Sequence, residues 1–143
     1  MESGDSMRSR YRLKRKLYYC LYNGVQTVTD TDGFEIGTRV LYGTGQPMLA
    51  NISAASGYAQ TEQFGNLDSY DRVIVTDWLD CPIDENTVLF VDKEPAYRTV
   101  TIPAATQGET PTVIEEPLYD YVVKRVARSI NSVSIAISKV KVS

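Results

Sequence analysis

In the stretch "SVSIAISKVKV" apolar and small residues alternate, with Val133, Ile135 and Ile137 set against Ser134, Ala136 and Ser138. A period of two sends successive side chains to opposite faces, so the pattern predicts a β-strand. The alternation slips by one residue to Val140 and Val142, which predicts a bulge or bend at that point. Two continuous apolar runs of strand length, from Arg72 to Asp77 and from Thr87 to Asp92, flank "WLDCPIDEN". There Pro82 cannot donate to a ladder and Asp84-Glu85-Asn86 suits a turn, so the unit reads as strand, turn, strand with Val73, Val75, Val88 and Phe90 buried.

Upstream, "LYYCLY" predicts a first strand ending in a turn at Asn23-Gly24, and "VQTVTDTDGFEIGTRVLYG" predicts a hairpin turning at Asp32-Gly33. "MLANI" is a short apolar piece before a polar stretch that carries Tyr58, Gln63 and Phe64. Aromatics in such a loop either meet a partner or fold back over their own core. "RTVTI" and "TVI" flank a tip at residues 104–110 marked by Pro103, Gly108 and Pro111. "DYVVKRVARSI" admits a helix, with Val122, Val126, Ala127 and Ile130 in one stripe, but its β-branched density favours strand. The sum is an all-β chain: a small β-barrel or sandwich of about seven short strands with long loops.

A length of 143 residues fits one domain, and ten tyrosines with a single tryptophan, Trp78, agree with sheet. No apolar run approaches the roughly 20 residues that span a bilayer, and the basic beginning lacks the apolar stretch of a secretion signal, so a soluble, cytoplasmically assembled protein is expected. The net charge of −3 conceals a segregation of sign. Arg8, Arg10, Arg12, Lys14, Arg15 and Lys16 form a basic run, whereas from Asp30 to Asp120 the only bases are Arg39, Arg72, Lys93 and Arg98. The expected organisation is a flexible basic arm over residues 1–16 and one β domain over 17–143, with Met7 a second possible start of translation.

Chemistry is sparse. Histidine is absent, no glycine-rich phosphate loop occurs, and Cys20 and Cys81 are too far apart for a redox motif. They are expected to be reduced, buried thiols. Paired acids, Asp77 with Asp80 or Asp84 with Glu85, do not match a calcium loop, and neither enzyme activity nor a metal or cofactor is expected. The arm, which interleaves Tyr11 with its cations, has three readings: a solvated tail, a segment that docks on an acidic neighbour or adds to its sheet, or a DNA contact.

"LKRKLYYCLYNG", "GYAQTEQFGN", "YDRVIVTDWLDCPIDENTVLFVDKEP" and "PLYDYVVKRVARSINSVSIAISKV" together resemble the head-closure, or head-tail connector, proteins of long-tailed double-stranded DNA bacteriophages. The likeness runs from about Met7 onward and contains no chemical signature. It implies a structural virion protein with a small β-barrel, forming a homo-oligomeric ring of six- or twelve-fold symmetry in the virion neck. Such a ring closes the filled head below the portal and adaptor proteins, lets DNA pass through its lumen, and offers a platform to tail-terminator or tail-tube proteins. Expected assembly contacts are Arg8, Arg10, Arg12, Lys14, Arg15 and Lys16 of the arm, Tyr58, Gln63 and Phe64 of the loop, and Asp80, Asp84 and Glu85. A tail-terminator at the same junction and a nucleic-acid-binding β-barrel are the alternatives.

Overall fold

The computed structural model describes residues 14–30, 32–54, 70–104 and 108–140. Arg8, Arg10, Arg12, Tyr58, Gln63 and Phe64 lie outside the described residues. Ten strands follow one another: β1 (Arg15–Cys20), β2 (Tyr22–Thr29), β3 (Glu35–Tyr42), β4 (Gln46–Ala54), β5 (Arg72–Thr76), β6 (Val88–Phe90), β7 (Tyr97–Ile102), β8 (Thr112–Pro117), β9 (Tyr121–Arg128) and β10 (Val133–Lys139). Six of them close into an antiparallel barrel in the order β1, β4, β5, β10, β9, β6. Closure pairs the backbone groups that an open sheet would leave along its edges. The other four strands form two hairpins, β2 with β3 and β7 with β8.

Each hairpin is an outgrowth of a pair of barrel strands. β1 pairs with β4 and β2 with β3, and the ribbon bends where the Gly43 N–H donates to the Leu21 carbonyl at 2.8 Å. In the same way β6 and β9 continue outward as β7 and β8, joined where Leu118 N–H donates to Ala96 O at 2.8 Å. The ten strands exceed the expected count of about seven, and four of the ten belong to these two hairpins. Asn23-Gly24 is not a turn: it lies inside β2, where Gly24 takes a φ of 95° and the register with β3 shifts. The left-handed conformation that makes the pair a good turn serves equally well in a bulge. The turn at Asp32-Gly33 is present, ordered by the Asp30 carboxylate, which accepts the N–H groups of Asp32 at 2.9 Å and Phe34 at 3.0 Å.

The segment from Tyr121 to Arg128 is a strand, since three β-branched valines pack better on a pleated surface than against a helical turn. The bulge or bend expected at the slip to Val140 and Val142 falls past the end of β10 and partly outside the described residues, and a different register shift occurs in β9. Ala136 faces Arg125 and Ile137 faces Val123, leaving Lys124 as the extra residue, so the bulge belongs to β9 and β10 runs unbroken to Lys139. β1 likewise takes in Arg15 and Lys16, two residues inside the boundary expected for the arm.

The barrel interior is filled by alternate residues, among them Leu17, Ala50, Ile74, Leu89, Ile135 and Ile137. Val73, Val88 and Phe90 are buried as expected and Val75 partly so, but on the outer face. Val88 and Phe90 join Cys20 in a second cluster covered by Tyr42 and Tyr119, and Val73 with Ala136 forms a third. A strand covered on both faces shows no alternation, so which parity points inward cannot be read from an apolar run.

Candidate assembly surface

Phe90 sits beneath the bases of the hairpins. Its ring meets Tyr97 of β7 edge-on at 6.0 Å, and Tyr42 of β3 meets Tyr119 at 6.1 Å. Gly45, at the bend between β3 and β4, donates its N–H to the Tyr97 hydroxyl at 2.8 Å. A methyl group there would stand 3.0 Å from that oxygen, so the close approach favours glycine. Above this aromatic layer Glu116 of β8 binds Arg39 of β3 and Arg98 of β7. Burial raises the cost of ionising Glu116, but hydrogen bonds and charge from Arg98 and Arg39 outweigh it and hold the carboxyl below its ordinary value of 4.5. A carboxylate depressed in the folded state stabilises above its unfolded pKa and loses that contribution as pH falls through the folded value. Melting temperatures followed from pH 6 down to about pH 3 should therefore fall less steeply for Glu116→Gln than for the wild type; parallel curves would deny the clamp its role.

Beyond the clamp the β2–β3 hairpin carries large apolar side chains into solvent. Val25 and Val40 face each other across the pair, and Ile36 is the extra residue of β3 where the register shifts between Val28 and Thr29. Val25 is 55% exposed, Ile36 65% and Phe34 at the turn 70%. Val113 of β8 is also exposed. Apolar residues scattered singly over a surface are ordinary, but several on one projecting ribbon make it a candidate contact surface. Asp30, Asp32 and Glu35 border the turn, so the tip is acidic as well as apolar.

Among the described residues, those expected to form contacts do not gather into one site. Lys14 reaches Asp77 at 3.8 Å, whereas Arg15 and Arg72 converge on Asp92, to which Tyr121 also donates a hydrogen bond. Burial opposes the charge on Asp92, and hydrogen bonds from Arg15 and Arg72 overcome it, lowering its pKa. Lys16 lies over the Tyr18 ring at 5.5 Å. Asp84 orders its own turn, accepting from Asn86 N at 2.9 Å and from the Thr87 hydroxyl at 3.2 Å. Asp80 is exposed, and Glu85 is exposed on the rim of a groove lined by Tyr22, Val40, Tyr42 and Tyr119. The acids of the stretch from Asp71 to Asp92 thus stand mainly at strand ends, Asp71 capping the Lys139 N–H at 2.7 Å.

Arg128 escaped the sequence reading because a lone arginine at a strand end has no local signature. Its guanidinium donates to the carbonyls of Leu79, Cys81 and Ile83, pinning the segment between β5 and β6 so that Cys81 and Ile83 seal the core. Arg128→Met should cost about 1–3 kcal/mol of unfolding free energy in urea titrations, and lysine should not restore it because it lacks the planar fork. An unchanged midpoint would mean the loop holds itself.

Both cysteines are free and buried. Burial pushes the Cys20 thiol up to about 11. Burial also raises Cys81, against the opposing pull of a hydrogen bond from the Ile83 backbone and the charge of Arg128. At about pH 8 neither thiol should react with an aromatic disulfide reagent until denaturant is added, since the thiolate is the nucleophile; fast reaction of the native protein would contradict this packing. Among the described residues no cluster of acids and cysteines is arranged to hold a metal, and no helix is long and apolar enough to cross a membrane. Compared with known proteins, the chain matches no family model, no curated protein and no solved structure.

Proposed function

We propose that this protein is a structural ring subunit of the neck of a long-tailed bacteriophage, closing the DNA-filled head and offering the tail its docking platform. The observation that carries the reading is the β2–β3 hairpin, an ordered ribbon that projects from a closed barrel with Val25, Ile36 and Phe34 in solvent. A closed barrel has no edge of its own to offer, so assembly falls to the outgrowths, and a ribbon that leaves one subunit to meet a different surface of the next is the heterologous contact from which rings close. The sequence resemblance supplies the place of that ring, between portal and adaptor proteins above and tail proteins below.

Electron microscopy of lysates made with a stop codon in this gene tests the assignment. Tailless heads that have lost their DNA, beside free tails of normal length, are the expected result. Tails of irregular length would assign the protein to the tail terminus, and intact virions would overturn both neck roles.

A further inference from the structure

Between β1 and the segment that follows β6 lies a groove of about 350 Å³, within the size range of clefts that take a ligand. Tyr18 and Val91 contribute apolar lining, and Arg15, Lys16 and Lys93 bring three cations to it. On a body where acids outnumber bases, this is a local reversal of sign. The Asp92 carboxylate also lines the groove, but Arg15 and Arg72 already hold it. Lys16 and Lys93 are exposed and, among the described residues, form no ion pair, so Glu94 is the one lining carboxylate left to oppose them. Lys16 lies over the Tyr18 ring at 5.5 Å, which puts charge and aromatic surface side by side. The groove therefore fits a ligand that is acidic and carries an apolar group. A DNA duplex, with phosphates outermost, meets the first demand and not the second.

The tip of the β2–β3 hairpin has that chemistry. Phe34 is 70% exposed there, and Asp30, Asp32 and Glu35 bring three carboxylates within four residues of it. Because Phe34 stands in solvent, the tip does not fill the groove of its own chain. We propose that the hairpin tip of one copy docks in this groove of a second copy, with Phe34 against Tyr18 and Val91, and Asp32 and Glu35 beside Lys16 and Lys93. This contact rests on the ring reading and names the surface that receives the hairpin. Its two strands of eight residues each give a ribbon about 25 Å long, enough to reach past the barrel from which it springs. Tip and groove are different surfaces, so each copy gives one and receives one, the heterologous pattern from which rings close. Opposite charges steer and orient the approach, and burial of Phe34 adds the apolar gain.

Two charge-reversed chains test it, one carrying Lys16→Glu and Lys93→Glu, the other Asp32→Lys and Glu35→Lys. All four side chains are exposed, and Asp30, which orders the turn, is kept. Circular dichroism would verify that each variant is folded. Either variant alone sets like charges against each other and should self-associate about a hundredfold more weakly than the wild type in sedimentation velocity. Mixed in equal amounts, the tip of each meets a groove of opposite sign on the other, so assembly should return to the wild-type level. Wild-type assembly by either variant alone, or no recovery on mixing, overturns the tip-in-groove contact and leaves the ring reading standing. A wild-type chain that stays monomeric up to its solubility limit overturns the ring reading and this contact with it. Duplex DNA binding that is lost in Lys16→Glu, Lys93→Glu while assembly stays intact also overturns the contact, and gives the groove to phosphates.

Discussion

Phe90→Ala should lower the unfolding free energy by about 3–5 kcal/mol, the range for deleting a fully buried phenylalanine whose site cannot collapse. The ring is 0% exposed and packed beneath both hairpins against Tyr97, with Cys20 and Val88 beside it. Since the cavity would open outside the barrel, the hairpin bases should loosen first, and amide exchange in β3 and β7 should quicken before that of β10. Asp84→Asn is the contrast. An amide oxygen can still accept from Asn86 and Thr87, so the change should stay within about 0.5 kcal/mol. Urea midpoints in the reverse order would show that the acidic turn, not the aromatic layer, carries the fold.

The second large effect concerns assembly. A chain with Val25→Asp and Ile36→Asp should fold as the wild type does, because both side chains stand in solvent in the subunit. In an interface each would be a buried charge, and at about 2 kcal/mol per site the pair weakens subunit contact roughly a thousandfold. Light scattering coupled to size exclusion should then show only monomer under conditions where wild-type rings are expected, and the variant should fail to complement a phage lacking the gene. A variant that assembles normally would remove the hairpin from the interface and with it the main support for the ring reading.

Much of this architecture is legible in the sequence because the signals are local. The alternation from Val133 to Ile137, the β-branched run in β9 and the turn at Asp32-Gly33 each reflect the chemistry of a few neighbouring residues. What stays hidden depends on partners far along the chain. The inward parity of β6 is decided by hairpins that cover its outer face, so Leu89 rather than Phe90 fills the barrel. Asn23-Gly24 reads as a turn because its left-handed preference is shared by bulges, and only the register with β3 separates the two. Arg128 acts on carbonyls more than forty residues away, a relation no spacing rule contains. As for assembly contacts, charge drew attention to the arm and the acidic loop, whereas Val25 and Ile36 sit in a pattern that also describes an ordinary half-buried strand. Their exposure becomes visible only when nothing packs on them.

Glu116 has a mechanical consequence. One carboxylate is shared by arginines from two ribbons that spring from different pairs of barrel strands, and Phe90 wedges the roots of both. The hairpins are thereby tied together above their roots, so that a load placed on the Phe34 end of one ribbon is shared with the root of the other rather than borne by a single pair of barrel strands.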